Sequence, residues 1–218
     1  MKNVSIRLGK TLGVKTFYFP SPLLALLVAI LLSLSLCTKA LAFTHPGIPL
    51  TTSDLDTIQA NLNVEPWKSG YAAFVADSHS QLSYSMLGPF ATVSRNPDVN
   101  LYQWREDMMA IWKLARMWYF TRDNTYAQKA HDILIAWATT QTSFSGTASN
   151  LDLGDYAFRF AGGADILRGT WPGWTAADTT AVKAYFANVL QPGANPWGES
   201  MSFPSPASER KRNHPLGP

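Results

Sequence analysis

The 218 residues contain a single cysteine, Cys37, close to the N-terminus. The chain beyond it can form no internal disulfide and no thiolate metal site, so its stability must come from its core. Charge is also scarce, at 15% against 46% hydrophobic residues, which excludes a disordered, self-repelling chain. The 14 glycines and 14 prolines are too few for a collagen-like or linker sequence. No His-x-x-x-His pair or carboxylate cluster has ligand spacing, so no metal or other cofactor is expected. The pI of 9.0 is a property of the ends: after residue 42 there are 13 bases and 15 acids, and the segment before Met201 has 10 against 14. A general nucleic-acid-binding surface is therefore not expected.

The first 42 residues read as an export signal. Lys2, Arg7, Lys10 and Lys15 precede the apolar run from Leu23 to Leu36, and Ala40-Leu41-Ala42 offers the small-x-small pattern of a cleavage site. Cleavage is expected after Ala42, leaving a periplasmic or secreted protein with no membrane segment. An uncleaved anchor is opposed by Pro20 and Pro22, and a lipoprotein by the bulky Leu36 before Cys37.

From Phe43 the apolar spacing is helical. Thr52 or Ser53 is placed to cap a helix carrying Leu55, Ile58 and Leu62, and Pro66 suits the first turn of one carrying Trp67, Tyr71, Phe74 and Val75. A Ser-, Gly- and Pro-rich loop is expected from about Ser78 to Asn100. Trp104, Met108, Ile111, Trp112, Ala115 and Tyr119 stripe the next helix, and Tyr126, Ala130, Ile133, Leu134 and Trp137 the one after a break at Thr121–Asn124. Further helices are expected from about Leu153 to Arg168 and from Thr175, and no segment of four or more residues alternates as a strand. The fold class is all-α. Short turns imply antiparallel helical hairpins, and uneven helix spacing favours part of an incomplete α/α toroid over a regular solenoid. Trp112 and Trp137 fall mid-stripe and belong to the core, whereas Trp67, Trp104 and Trp197 lie at boundaries from which they can face a groove.

Taken in order, several strings resemble the alginate lyase family, periplasmic polysaccharide lyases with an α/α-toroid domain. They run from Phe43-Thr-His-Pro-Gly47 and Pro66-Trp-Lys-Ser-Gly-Tyr71 through Gly88-Pro89, Arg95, Asp107 and Ala115–Tyr119. They continue with Tyr126-Ala-Gln-Lys-Ala-His-Asp132, Leu153–Arg168 and Asn195-Pro-Trp-Gly198. The resemblance covers roughly Phe43 to Ser200. It implies β-elimination on a uronate-containing, alginate-like polymer, an acidic polysaccharide. Such a reaction needs a group that neutralises the sugar carboxylate, together with a base and an acid. Asn195 matches the family's neutralising Asn, but Pro196 follows it where the family has His. Trp67, Tyr71, Arg95, Tyr156, Arg159 and Trp197 are the expected substrate-binding residues.

Residues 201–218 hold four prolines and no apolar period, so they are expected to be an irregular tail. Family members continue there with helices that carry the remaining catalytic groups, and a truncated, weakly active or inactive chain is the corresponding expectation. A toroidal glycoside hydrolase is an alternative, with Asp155 and Glu199 as its carboxylate pair, and so is a non-catalytic carbohydrate-binding scaffold. The histidines have plainer expectations: a turn role for His45, exposure for His79, packing or solvation for His131, and none for His214. A buried hydrogen bond to a neighbouring helix end is expected of Asp107.

Overall fold

The computed structural model describes residues 43–194. The proposed signal (1–42), Asn195, Trp197, Glu199 and the 201–218 tail lie outside the described residues. The helices are α1 (Thr52–Asn61), α2 (Trp67–Ala76), α3 (Leu101–Thr121), α4 (Asn124–Thr140), α5 (Ser149–Asp152), α6 (Phe158–Thr170), α7 (Ala176–Tyr185) and α8 (Gln191–Ala194). π-helical turns at Leu153–Ala157 and Phe186–Leu190 join α5 to α6 and α7 to α8.

Local chemistry sets the helix ends. Thr51, one residue earlier than expected, caps α1: its side chain accepts from the Asp54 amide while Asp54 reaches back to the Thr51 amide. The same reciprocal box joins Thr175 and Asp178 at the start of α7, as the sequence suggests. Between α3 and α4 the chain reverses at Arg122, in the left-handed region at φ 59°, and Asp123 caps the new helix through the Thr125 amide.

Two hairpins stack side by side. Helices α3 and α6 run parallel, because Trp104 meets Tyr156, Ile111 backs onto Gly163, and the Trp118 indole donates to Thr170 at 3.0 Å, with one constant sequence offset. A Cβ on Gly163 would lie 2.6 Å from the Ile111 side chain, so this close helix contact requires glycine. Helices α4 and α7 lie alongside each other in the second layer, with His131 Nε2 3.1 Å from Asp178 and Tyr185 donating to Gln141 just past α4. The core between the layers is formed by Met108, Ile111, Leu114, Ile133, Leu134, Trp137, Phe160, Ile166 and Leu167, all essentially inaccessible. Full burial of each large apolar side chain contributes about 1.5–3 kcal/mol before entropy is counted.

The all-α expectation holds, and among the described residues the layers are two hairpins wide. Two three-residue strands, too short to show alternation, occur at Thr92–Ser94 (β1) and Ser143–Ser145 (β2). They pair in parallel, Val93 opposite Phe144, and so tie the segment before α3 to the segment before α5. Trp104 does not face a groove: it is wholly buried, 4.8 Å from Phe144 between ring centroids, and its indole donates to Tyr185.

Candidate functional site

The β1–β2 pairing brings Arg95, directly after β1, against α5. Its amide donates to the Ser145 carbonyl at 3.0 Å, and the next residue, Gly146, has φ +100° with no room for a Cβ beneath Arg95. From there the Arg95 guanidinium reaches Asp152 at 2.8 Å. Arg105, on the second turn of α3, pairs with the other oxygen of the same carboxylate. Asp152 is only 1% exposed, whereas the two arginines keep about 30% of their side chains open to solvent. The bond to Asp152 raises the pKa of Arg105 further above its ordinary value.

Tyr156 continues this cluster. It lies in the π-helical turn rather than in the regular helix expected there, and such turns recur at functional sites. The Arg105 guanidinium lies 5.6 Å from its ring centroid, and Arg159 stacks at 4.6 Å from it. Both distances are within cation–π range. Arg159 also donates to the Asp155 carbonyl one turn back. Three of the expected binding residues, Arg95, Tyr156 and Arg159, therefore sit in one run of contacts.

The other two described candidates, Trp67 and Tyr71, line a groove of about 400 Å³ with Ile58, Leu62, Phe74, Phe120 and Arg116. Trp67 is 42% exposed at its rim. Phe120 meets Tyr71 and Phe74 edge-to-face and so holds α2 on the end of α3. Arg116 lies in the wall, 4.7 Å from the Phe74 centroid and 4.5 Å from that of Trp112. Burial, and to a lesser extent repulsion from Arg159, brings the Arg116 pKa down to about 10.

Arg105 and Arg116 were not among the sequence candidates. Together with Trp112 they occupy i, i+7 and i+11 of α3, one helical face, which is the signal the sequence carried. The combined band has four guanidiniums and one buried carboxylate among the described residues. The acidic excess of the chain body therefore lies elsewhere.

Much of it is structural. Asp107 is fully buried and accepts from Tyr84 at 2.7 Å, from the Leu87 and Gly88 amides, and from the Trp137 indole at 2.8 Å. It serves a loop and an indole rather than a helix end. Asp165 holds the 43–50 segment onto α6 through His45 and the amides of Gly47 and Ile48, in keeping with a turn role for His45. His131 is packed against Trp171 and Trp174.

His79 is not exposed as expected: its ring is held between Asp77 at 2.8 Å and Glu106 at 2.9 Å, with only 15% of the side chain accessible. Burial pushes the Asp77 carboxyl up, but Lys113 at 2.5 Å and His79 outweigh it and hold the pKa at about 2. A depressed acid contributes stability that is complete above its unfolded value and is lost as pH falls through its folded value. Unfolding free energy is thus expected to fall by about 1 kcal/mol between pH 4 and pH 2 through this group, discounted for its partial exposure. Denaturant melts of the wild type and Asp77→Asn across that range check this; equal pH slopes would remove the assignment.

Two layers of helical hairpins carrying guanidiniums and aromatic rings along one side define an all-α hairpin protein. The sequence model of the alginate lyase family matches residues 88–215, more than half of the chain. The protein belongs to the alginate lyase family, a family of polysaccharide lyases. Neither the curated proteins nor the solved structures give a match.

Proposed function

We propose that the protein is a polysaccharide lyase that lays a uronate-containing, alginate-like chain along the Arg95–Arg116 band and cleaves it by metal-independent β-elimination. The observation that carries this reading is the band itself, with four guanidiniums interleaved with Tyr156, Phe74, Tyr71 and Trp67. Guanidiniums bind carboxylates through paired, charge-assisted hydrogen bonds, and flat rings stack on the apolar faces of sugars. The local potential of a groove can override the net charge of the body.

In the elimination, a base removes the proton on the carbon beside the carboxylate. The electron pair forms a carbon–carbon double bond, and the glycosidic oxygen leaves and takes a proton from an acid. Negative charge builds on the carboxylate in the transition state, and donors aimed there lower the barrier. Asn195 is the proposed neutraliser, and the family match extends through its position. Pro196 assigns the base to another residue. Trp197 is the further sugar contact, completion of the hairpin layers into a toroid is the proposed architecture, and export with cleavage after Ala42 is the proposed route to the polymer.

Incubation with polymannuronate or polyguluronate should give rising ultraviolet absorbance from the unsaturated product end, and a chelator should leave the rate unchanged. New reducing ends without that absorbance would replace the reading with hydrolysis. Binding with no product would leave a carbohydrate-binding scaffold.

A further inference from the structure

The cations of the described residues fall into groups. Arg95 and Arg105 share Asp152, and Lys113 has Asp77. Cations without an acid such as Arg122, Arg168 and Lys183 are exposed, Arg122 with its guanidinium 4.1 Å from the Tyr119 ring centroid. Arg116 fits neither group. Its guanidinium is half-buried between the Phe74 and Trp112 rings, and its one hydrogen bond among the described residues is from Nε to the Trp112 carbonyl at 3.4 Å. No carboxylate of the described residues pairs with it. Its charged neighbour is Arg159, which also has no acid partner there and bonds only the Asp155 carbonyl. Burial and repulsion from Arg159 bring the Arg116 pKa down to about 10.

A partly desolvated charge without a carboxylate partner is unfavourable unless a counter-charge arrives. The space beside it is a groove of about 400 Å³ walled by Trp67, Tyr71, Phe74 and Phe120, a size suited to a small ligand or one sugar unit. The rest of the guanidinium's donor edge is available for a bidentate partner.

We propose that Arg116 is the site that reads the carboxylate of a uronate ring stacked in the Trp67–Tyr71 groove. The inference rests on the lyase reading and deepens it. It assigns acid recognition to Arg116 rather than to Arg95, whose charge is already answered by Asp152. Arg116 is thus the specificity determinant for acidic over neutral sugar chains. Because the empty protein holds this charge at a cost, removing it should not weaken the fold, which sets it apart from an arginine kept for structure.

The test uses the full chain, an oligouronate and its carboxyl-reduced neutral counterpart, with binding followed by tryptophan fluorescence and stability by thermal melting. The wild type should prefer the acidic probe about tenfold or more. Arg116→Met, which keeps the apolar stem, should lose most of that preference, bind the neutral probe as before, and melt no lower than wild type. If Arg116→Met does not fold, the structural role prevails and the proposal falls unless Arg116→Lys, folded and still charged, weakens acidic binding with neutral binding unchanged. An Arg116→Met protein that keeps the acid preference overturns the proposal. A wild type that binds neither probe defeats the functional reading instead, so the two failures are distinct.

Discussion

Asp107→Ala is expected to be the most destabilising single change in the core, lowering unfolding free energy by about 4 kcal/mol and the melting midpoint by roughly 10 °C. The carboxylate is wholly inaccessible and receives the Tyr84 hydroxyl, two backbone amides and the Trp137 indole. Alanine would leave all four donors without a partner in a place water does not reach, and each unsatisfied group costs about 1–3 kcal/mol, partly relieved by relaxation. Asp107→Asn should recover little. The site offers only donors, and an amide would turn an NH2 group towards them. The damage should spread along the chain, because the Leu87 and Gly88 amides anchor the loop that leads to β1 and so to Arg95. Thermal and denaturant melts of both variants check the claim. An asparagine variant as stable as wild type would mean that the carboxylate is not the acceptor described.

The sequence made this anchor only partly visible. Asp107 on a tryptophan-rich helix pointed to a buried hydrogen bond, but three of its partners lie 19 to 23 residues back in a loop without periodicity, and the fourth, Trp137, is 30 residues ahead on α4. The helices themselves were legible because their apolar stripes repeat at the helical period, and the hairpins because the breaks are short. The site was legible in pieces. Tyr156 and Arg159 stood out as neighbours on one turn, and Trp67 and Tyr71 as aromatic residues near a helix start. Arg105 and Arg116 were hidden because a lone arginine on a striped helix reads as an ordinary surface cation. Only the parallel packing of α3 on α6 brings Arg105 to Tyr156, and only the seating of α2 on the end of α3 brings Arg116 to Phe74. Asp152 and Arg95 are 57 positions apart and meet through two three-residue strands, a pairing too short to leave a pattern. Trp104 went the other way: it stands near a helix start, yet tertiary packing buries it completely.

Asp152→Ala is the second large effect. The carboxylate is the one acid that makes an ion pair with the arginine band among the described residues, and it fixes Arg95 and Arg105 at once. Its removal should cost about 2–3 kcal/mol of stability, less than the Asp107 change because both arginines can turn towards water. The consequence for binding follows from the charge count. Removing Asp152 makes the band more positive by one charge and leaves Arg95 and Arg105 free to move. A more positive, less ordered band attracts any polyanion more strongly at low ionic strength, and screening erases that gain as salt rises. The variant should therefore bind an oligouronate within a few-fold of wild type at low salt, show a steeper loss of affinity with added salt, and discriminate less against a sulfated chain of equal charge. Titrations of both polymers at several salt concentrations read all three quantities. If the salt dependence and the uronate preference match wild type, Asp152 is a structural ion-pair partner alone, and substrate selection rests on the Arg116 end of the band.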